Sequence, residues 1–167
     1  MTLQEIDKYV FQKINSLSHS WVLDKAAVVV DLWYYFVIIT LFIYDFNWMF
    51  IVKALLFAIF INSFLLKNIF KKTRISQNLD QVNIINKPIP EFLRNMDNYS
   101  FPSGSAAISA AITLILFTYG TYWGIFGVIM TLINGFQRLY TGAHLPSEVL
   151  GGWITGSLTS FIWMHLG

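Results

Sequence analysis

Long apolar runs separated by short polar breaks dominate the chain, and several approach the roughly 20 apolar residues that a helix needs to cross a bilayer. We expect five such spans, at about residues 21–44, 48–66, 101–119, 122–136 and 148–164. The breaks at 45–47 and 120–121 are short enough to be turns. The pattern therefore predicts an all-α integral membrane protein, a helical bundle of about five transmembrane helices.

A shorter periodicity precedes the first span. Apolar residues recur every three or four positions, at 3, 6, 10, 14 and 17, with charged and amide side chains between them. This pattern is typical of an amphipathic helix that lies in the membrane interface instead of spanning it. We therefore predict an interfacial helix over residues 1–18.

The one long polar segment, residues 67–100, contains six of the eleven lysines and arginines and cannot lie in hydrocarbon. Pro88 and Pro90 would interrupt a continuous helix through it. We expect short helices and a loop that caps the bundle, so that residues 1–167 form a single membrane-embedded domain.

Composition narrows the class of protein. Charged residues make up 12% of the chain, about half of the roughly 25% found in soluble domains. The formal charge of +2 is small and no basic stripe is present, which argues against a nucleic-acid partner. The chain has no cysteine, so disulfides, thiolate catalysis and cysteine-bound metals are excluded.

Two charged residues, Asp31 and Lys53, lie inside predicted spans, where ionisable groups are functional candidates by default. We assign no partner to either of them. Asp31 lies nearer the face that carries the polar clusters, and Lys53 is expected to extend its ammonium group toward the opposite interface.

Counting the spans places three polar clusters on one face of the membrane, because an even number of crossings separates each cluster from the next. The clusters begin at Lys67, Pro102 and Arg138. The opposite face has few polar residues. The three clusters can therefore converge on one site.

The first two clusters suit an anion. Lys67 and Arg74 stand seven residues apart, so on a continuing helix both would point the same way, as two fixed cations for a phosphate. Ser103 and Gly104 lie where the third span begins, where backbone N–H groups and the helix dipole favour an anion and the Ser103 hydroxyl adds a donor. Each cluster alone also has an ordinary explanation. Lys67 and Arg74 would be cations that flank a span, and Ser103 and Gly104 would simply begin a helix.

In the third cluster, His144 precedes Glu148 by four residues and follows Arg138 by six. A carboxylate that accepts a hydrogen bond from one imidazole nitrogen fixes the tautomer and leaves the other nitrogen free as a nucleophile. The alternative is a capping glutamate beside a surface histidine. The coincidence of all three clusters on one face favours the catalytic interpretation.

With these residues the chain resembles the type 2 phosphatidic acid phosphatase superfamily, the integral membrane lipid phosphate phosphatases. The family has three motifs. The first is a lysine followed, after six residues, by Arg-Pro, and the second is Pro-Ser-Gly-His. The third is Ser-Arg, then a histidine after five residues and an aspartate after three more. The matching positions are Lys67, Arg74, Pro102, Ser103, Gly104, Arg138 and His144. The resemblance extends over about residues 67–156, and Asp7, Asn15 and Asp24 resemble the family's N-terminal pattern.

Four positions depart from the family pattern. Ile75 replaces the proline of the first motif and Ser105 the histidine of the second, while Gln137 and Glu148 replace the serine and the aspartate of the third. In the family the second-motif histidine protonates the leaving group. A serine hydroxyl is a poor acid at neutral pH, so we expect catalysis to be impaired or restricted to good leaving groups.

The resemblance implies a double displacement without metal or cofactor. His144, oriented by Glu148, would attack phosphorus to form a phosphohistidine, and water would then release phosphate. Phosphate would be held by the residues Lys67, Arg74, Ser103, Gly104 and Arg138. The substrate would be a lipid phosphate or diphosphate drawn from the surrounding membrane lipids.

Two other functions stay open from the sequence. One is a catalytically silent protein that binds or transports lipid phosphates, which Ser105 favours and the His144–Glu148 pair opposes. The other is a lipid phosphotransferase. A haloperoxidase, which shares the family's active-site residues, is disfavoured by the membrane composition.

The side of the membrane that the site faces is a separate question. Clustered positive residues would put the site in the cytoplasm, whereas bacterial relatives commonly act on the outer side of the inner membrane, the side we favour.

Overall fold

The computed structural model describes residues 1–44, 48–74, 82–85 and 99–166. Nearly all of this part of the chain is helical, and its one β-type contact is an isolated bridge between Thr73 and Tyr99. The helices are α1 (Leu3–Asn15), α2 (Trp21–Val30), α3 (Trp33–Tyr44), α4 (Trp48–Ile59), a π-helical segment (Phe60–Leu66), α5 (Lys67–Phe70), α6 (Gly104–Thr118), α7 (Thr121–Tyr140) and α8 (Pro146–Leu166).

The predicted spans correspond to observed helices, with two differences that concern the site. The first span is divided at Asp31 and Leu32 into α2 and α3. The fourth is longer than predicted, because α7 continues to Tyr140 and so carries Arg138 in its last turn. Two stretches, Trp21–Ile43 and Met49–Phe70, are long and apolar enough to cross a membrane, and Gly104–Thr118 is a shorter apolar helix.

Helix α6 lies at the centre of the bundle, where small residues allow its neighbours to approach. Gly152 and Gly156 of α8 pack directly on it, and a Cβ atom on Gly156 would clash with the Ala107 carbonyl oxygen. This G-x-x-x-G pair therefore allows close packing of α8 on α6. On its other side α6 meets α7 through the hydroxyls of Ser109, Thr113 and Thr131, with Oγ–Oγ distances of 2.7 and 2.8 Å.

An apolar cluster joins α3, α4 and α6, and it is built mainly from Trp33, Tyr34, Ile51, Leu55, Ile112 and Ile115. Large apolar side chains also cover much of the outer surface of α2, α3, α7 and α8. A soluble protein rarely exposes so much contiguous apolar surface. The outside of this bundle suits lipid.

Helix α1 packs across the ends of α7 and α8. It begins with a capping box between Thr2 and Glu5. Its packed face carries Phe11, which is buried, and Asn15, whose side-chain amide donates to the Tyr140 carbonyl at 2.9 Å. One turn before Phe11, the Asp7 carboxylate accepts hydrogen bonds from the Ser147 backbone and hydroxyl at 2.8 and 2.6 Å.

The apolar stripe predicted on α1 is mostly not its packed face. Leu3, Ile6 and Leu17 are exposed, and Val10 and Ile14 are half-buried. The exposed part of the stripe is available to lipid, so the interfacial position of residues 1–18 stays a prediction.

The start of the polar segment corrects one premise from the sequence. The helix ends at Phe70, because Lys71 adopts the left-handed conformation with φ 45° and its N–H group bonds to the Lys67 carbonyl. Lys67 and Arg74 therefore do not share the face of a continuing helix. Residues 71–74 instead form a short strap, fixed by a 2.8 Å hydrogen bond from the Ser100 N–H to the Lys72 carbonyl. Pro88, Pro90, Lys87 and Arg94 lie outside the described residues.

Candidate active site

The carboxylate of Glu148 is fully buried and joins separate segments of the chain. One oxygen, Oε2, accepts from His144 Nδ1 at 3.1 Å and from the Leu145 N–H at 3.0 Å. The other, Oε1, accepts from the Ser100 hydroxyl at 2.8 Å and lies 3.0 Å from the Lys72 ammonium nitrogen. The predicted contact between His144 and Glu148 is therefore present, together with two residues that the sequence did not single out.

Local structure places this pair at the end of the bundle. Pro146 is the first residue of α8, where its missing N–H group costs nothing, and Glu148 stands in the first turn, where the helix dipole favours an acid. The preceding loop folds back on α7, since the N–H groups of Ala143 and His144 both donate to the Arg138 carbonyl, at 3.0 and 3.3 Å. Gly142 adopts φ +71° in this loop, and a Cβ there would lie 2.6 Å from the Asn83 carbonyl oxygen.

His144 is held as a neutral imidazole. Burial lowers its pKa from the ordinary 6.5 to about 4; Glu148 opposes this shift, and the positive charges of Arg138 and Arg74 add to it. Since the carboxylate accepts from Nδ1, we assign the proton to Nδ1 and the lone pair to Nε2. At neutral pH the ring is therefore uncharged, and Nε2 has the free lone pair that a nucleophile would need.

The second predicted motif lies directly against Glu148. The Ser103 N–H donates to the Glu148 carbonyl at 3.0 Å, and Gly104 opens α6. The hydroxyl of Ser103 is buried and finds no hydrogen-bond partner among the described residues. A buried donor at a helix N-terminus is suited to an anion. The Ser105 hydroxyl, at the position of the family's acid, is likewise buried and without a partner in this part of the chain.

The first-motif cations approach the same region by different routes. Lys67 is buried at the start of α5, which is tied to the loop before α6 by an edge-to-face contact of Phe70 and Phe101 with 4.9 Å between ring centroids. Arg74 lies at the end of the strap, and its charge acts on His144. The structure thus brings the three predicted clusters to one end of the bundle.

Asp31 has the partner that the sequence did not assign. It forms a buried salt bridge with Arg138 and accepts a hydrogen bond from Asn134 Nδ2 at 3.3 Å. A usable signal was present in the sequence, because a charge inside a span is costly unless an opposite charge is nearby. Lys53, by contrast, is exposed on α4. Asp31 therefore connects the first span to the arginine of the third motif.

Lys72 and Ser100 were also missed, because neither belongs to the family motifs. Lys72 was one of several lysines in a polar segment, and Ser100 stands just before the second motif. As for metals, the described ranges contain no group of three or more histidines and carboxylates arranged to hold an ion.

Comparison with known families identifies this arrangement. The chain belongs to the PAP2 superfamily, whose family model matches residues 47–167. This confirms the resemblance drawn from the motifs.

Three individual proteins are similar to the chain. A protein of Sulfolobus acidocaldarius named undecaprenyl-diphosphatase is 40% identical over 67 residues, which cover 39% of this chain and 32% of that protein. The crystal structure of Aquifex aeolicus LpxE matches with a TM-score of 0.79 at 22% identity, covering 99% of both chains. That of a transmembrane PAP2 type phosphatidylglycerolphosphate phosphatase from Bacillus subtilis matches with a TM-score of 0.71 at 18% identity, covering 98% of this chain and 85% of the other.

The two structural matches confirm the predicted fold class, an all-α integral membrane bundle. At these identities they establish the fold alone. The alignment with the Sulfolobus protein covers about a third of that protein's length.

The salt bridge between Asp31 and Arg138 yields a stability prediction. Asp31→Asn leaves a buried arginine without its counter-ion, which we expect to cost about 3–5 kcal/mol of the free energy of unfolding. The matched control is Lys53→Gln, which removes an exposed charge inside a span and should change stability by less than about 0.5 kcal/mol. Thermal unfolding in detergent measures both. The double variant Asp31→Asn/Arg138→Gln should be more stable than Asp31→Asn alone, and equal losses in Asp31→Asn and Lys53→Gln would contradict the assignment.

Proposed function

We propose that this protein is a PAP2-type lipid phosphatase that hydrolyses a lipid diphosphate, or a lipid phosphate with a good leaving group, through a phosphohistidine at His144. The observation that carries the proposal is the buried His144–Glu148 pair, 3.1 Å apart, beside the anion-suited start of α6. The name of the Sulfolobus relative, undecaprenyl-diphosphatase, supports a lipid diphosphate as the substrate class.

In the first step, Nε2 of neutral His144 forms a bond to the terminal phosphorus and the bond from phosphorus to the bridging oxygen breaks. The ring becomes positively charged, and Glu148 stabilises this charge through its hydrogen bond with Nδ1. In the second step, water attacks the phosphohistidine and frees inorganic phosphate and the neutral imidazole. The chemistry requires no metal ion.

Charge develops on the phosphoryl oxygens during both steps, and fixed donors stabilise it. We assign this role to the Ser103 hydroxyl, the Gly104 amide and the cations Lys67, Arg74 and Arg138. Arg138 is held in place by Asp31, so it does not have to be ordered when substrate binds.

The test is release of inorganic phosphate from a lipid diphosphate in detergent micelles. His144→Gln should lower the rate by about 10⁴-fold or more, because the nucleophile is lost. His165→Gln, a control at the exposed end of α8, should retain the wild-type rate. The wild-type rate should be unchanged by a chelator, and radiolabelled phosphate should be trapped on His144.

Three other results would contradict the proposal. Phosphate binding without turnover would indicate the silent binding protein that Ser105 favours. Transfer of the label to another lipid headgroup instead of water would indicate a phosphotransferase. Phosphate release that persists in His144→Gln would exclude a phosphohistidine intermediate at this residue.

The identity of residue 105 predicts a preference among leaving groups. General acid catalysis typically contributes about 10²–10⁴-fold, and Ser105 supplies no acid at neutral pH. An alkoxide needs that proton, whereas a departing phosphate is a far weaker base. We therefore expect faster phosphate release from a lipid diphosphate than from a lipid monophosphate ester. Ser105→His should raise monophosphate hydrolysis by about 10²-fold or more, and the opposite preference or no gain would contradict this role for position 105.

We also propose that the site faces the outer side of the cell (inner) membrane, where lipid diphosphates would be reached from outside the cytoplasm. The chain has no cysteine, so single cysteines can report on sidedness. Lys71→Cys, exposed on the strap, should react with an impermeant maleimide in intact spheroplasts. Tyr122→Cys, exposed at the opposite end of α7, should react only after permeabilisation. The reverse labelling pattern would place the site in the cytoplasm.

A further inference from the structure

Lys72 contacts Glu148 and has no role in the two chemical steps proposed above. Its ammonium nitrogen lies 3.0 Å from Glu148 Oε1, on the opposite oxygen of the carboxylate from the one that His144 occupies. The carboxylate is completely buried, whereas the lysine side chain is 40% exposed. The Lys72 side chain therefore extends from the solvent-exposed side of the site to the buried carboxylate that orients His144.

The contact is fixed from the backbone outward. The Ser100 N–H donates to the Lys72 carbonyl at 2.8 Å, which ties the strap to the segment that precedes α6. The Ser100 hydroxyl lies within hydrogen-bond distance of the Lys72 and Thr73 carbonyls and of Glu148 Oε1, and it is closest to the carboxylate, at 2.8 Å. Since a hydroxyl has one hydrogen, the charged acceptor is the preferred one.

With Lys72 in place, four donors from the described residues surround Glu148, two on each oxygen. A carboxylate offers about four lone-pair positions, so these contacts occupy it fully. Glutamate also has one more rotatable bond than the aspartate of the family motif, and additional anchors limit that freedom. Of these four donors, Lys72 is the lysine ammonium group, and it contacts the oxygen that His144 does not.

We propose that Lys72 is a positioning residue for the nucleophile: its ammonium group holds the second oxygen of Glu148 in place and limits how strongly this carboxylate attracts a proton to His144. The proposal rests on the proposed function for its catalytic consequence. Without Lys72, the negative charge of Glu148 would act on the imidazole with less compensation, and the protonated ring, which has no free lone pair on Nε2, would form at higher pH.

Within the part of the chain that the structure describes, few charged groups face the pair, and their signs define the direction of the effect. Glu148 of α8 favours the imidazolium form of His144, whereas Arg138 of α7 and Arg74 of the strap oppose it. Lys72 faces Glu148, and Asp31 faces Arg138. Removing one cation from this set shifts the balance toward protonation.

The experiment compares Lys72→Met with Lys72→Arg and with Lys71→Met, an exposed neighbour that loses the same charge. The pH dependence of kcat/KM reports the ionisation of the free enzyme, and its acid limb should move upward by about one to two pH units in Lys72→Met alone. The ratio of the rate at pH 5 to that at pH 8 should fall by about two- to tenfold in that variant, for a rise of one to two pH units respectively. Lys72→Arg should restore most of the wild-type profile.

A second readout does not depend on turnover. The ring resonances of His144 can be titrated by NMR in detergent without substrate, and the midpoint should rise in Lys72→Met but not in Lys71→Met. An unchanged midpoint, or a rate lowered equally at every pH, would overturn the proposal, because Lys72 would then act on the substrate or on folding. A shifted midpoint in a protein without phosphatase activity would support the role of Lys72 and reject the proposed function.

Discussion

The burial of one carboxylate is the constraint on which the site depends. Glu148 is inaccessible to solvent, and an uncompensated charge in such a place is expensive. The bundle provides hydrogen-bond donors to this carboxylate from the strap, from Ser100 and from the loop before α8. The burial of this carboxylate is therefore offset only when all of these segments pack around it.

A second buried pair extends this arrangement to the first half of the chain. The division between α2 and α3 places Asp31 against Arg138 in the last turn of α7. Helix α1 also supports the third motif. The Asp7 carboxylate accepts a hydrogen bond from the Ser147 N–H, and the Asn15 amide donates one to the Tyr140 carbonyl. Residues that lie more than 100 positions apart in sequence therefore fix the orientation of the third motif.

The sequence predicted the elements whose cause is local. Apolar run lengths located the spans, and the interval of four between His144 and Glu148 predicted a contact that is present across the start of α8. Prediction from sequence failed where a feature depends on tertiary packing or on the backbone conformation of a single residue. The left-handed Lys71 ended the helix that was to align Lys67 with Arg74. The partners of Asp31 and Glu148 depend on how α2 and the strap pack against α7 and α8, which no local pattern records.

The position of α1 limits where the chain can be truncated. The family match begins at residue 47, after α1, Asp31 and the whole first span. A fragment started at that boundary would contain every motif residue, but its Arg138 would have lost its counter-ion and its Tyr140 carbonyl the amide of Asn15. The segment outside the recognised family region is thus part of the structural unit, and truncating it for expression would remove the support of the residues that the truncation was meant to keep.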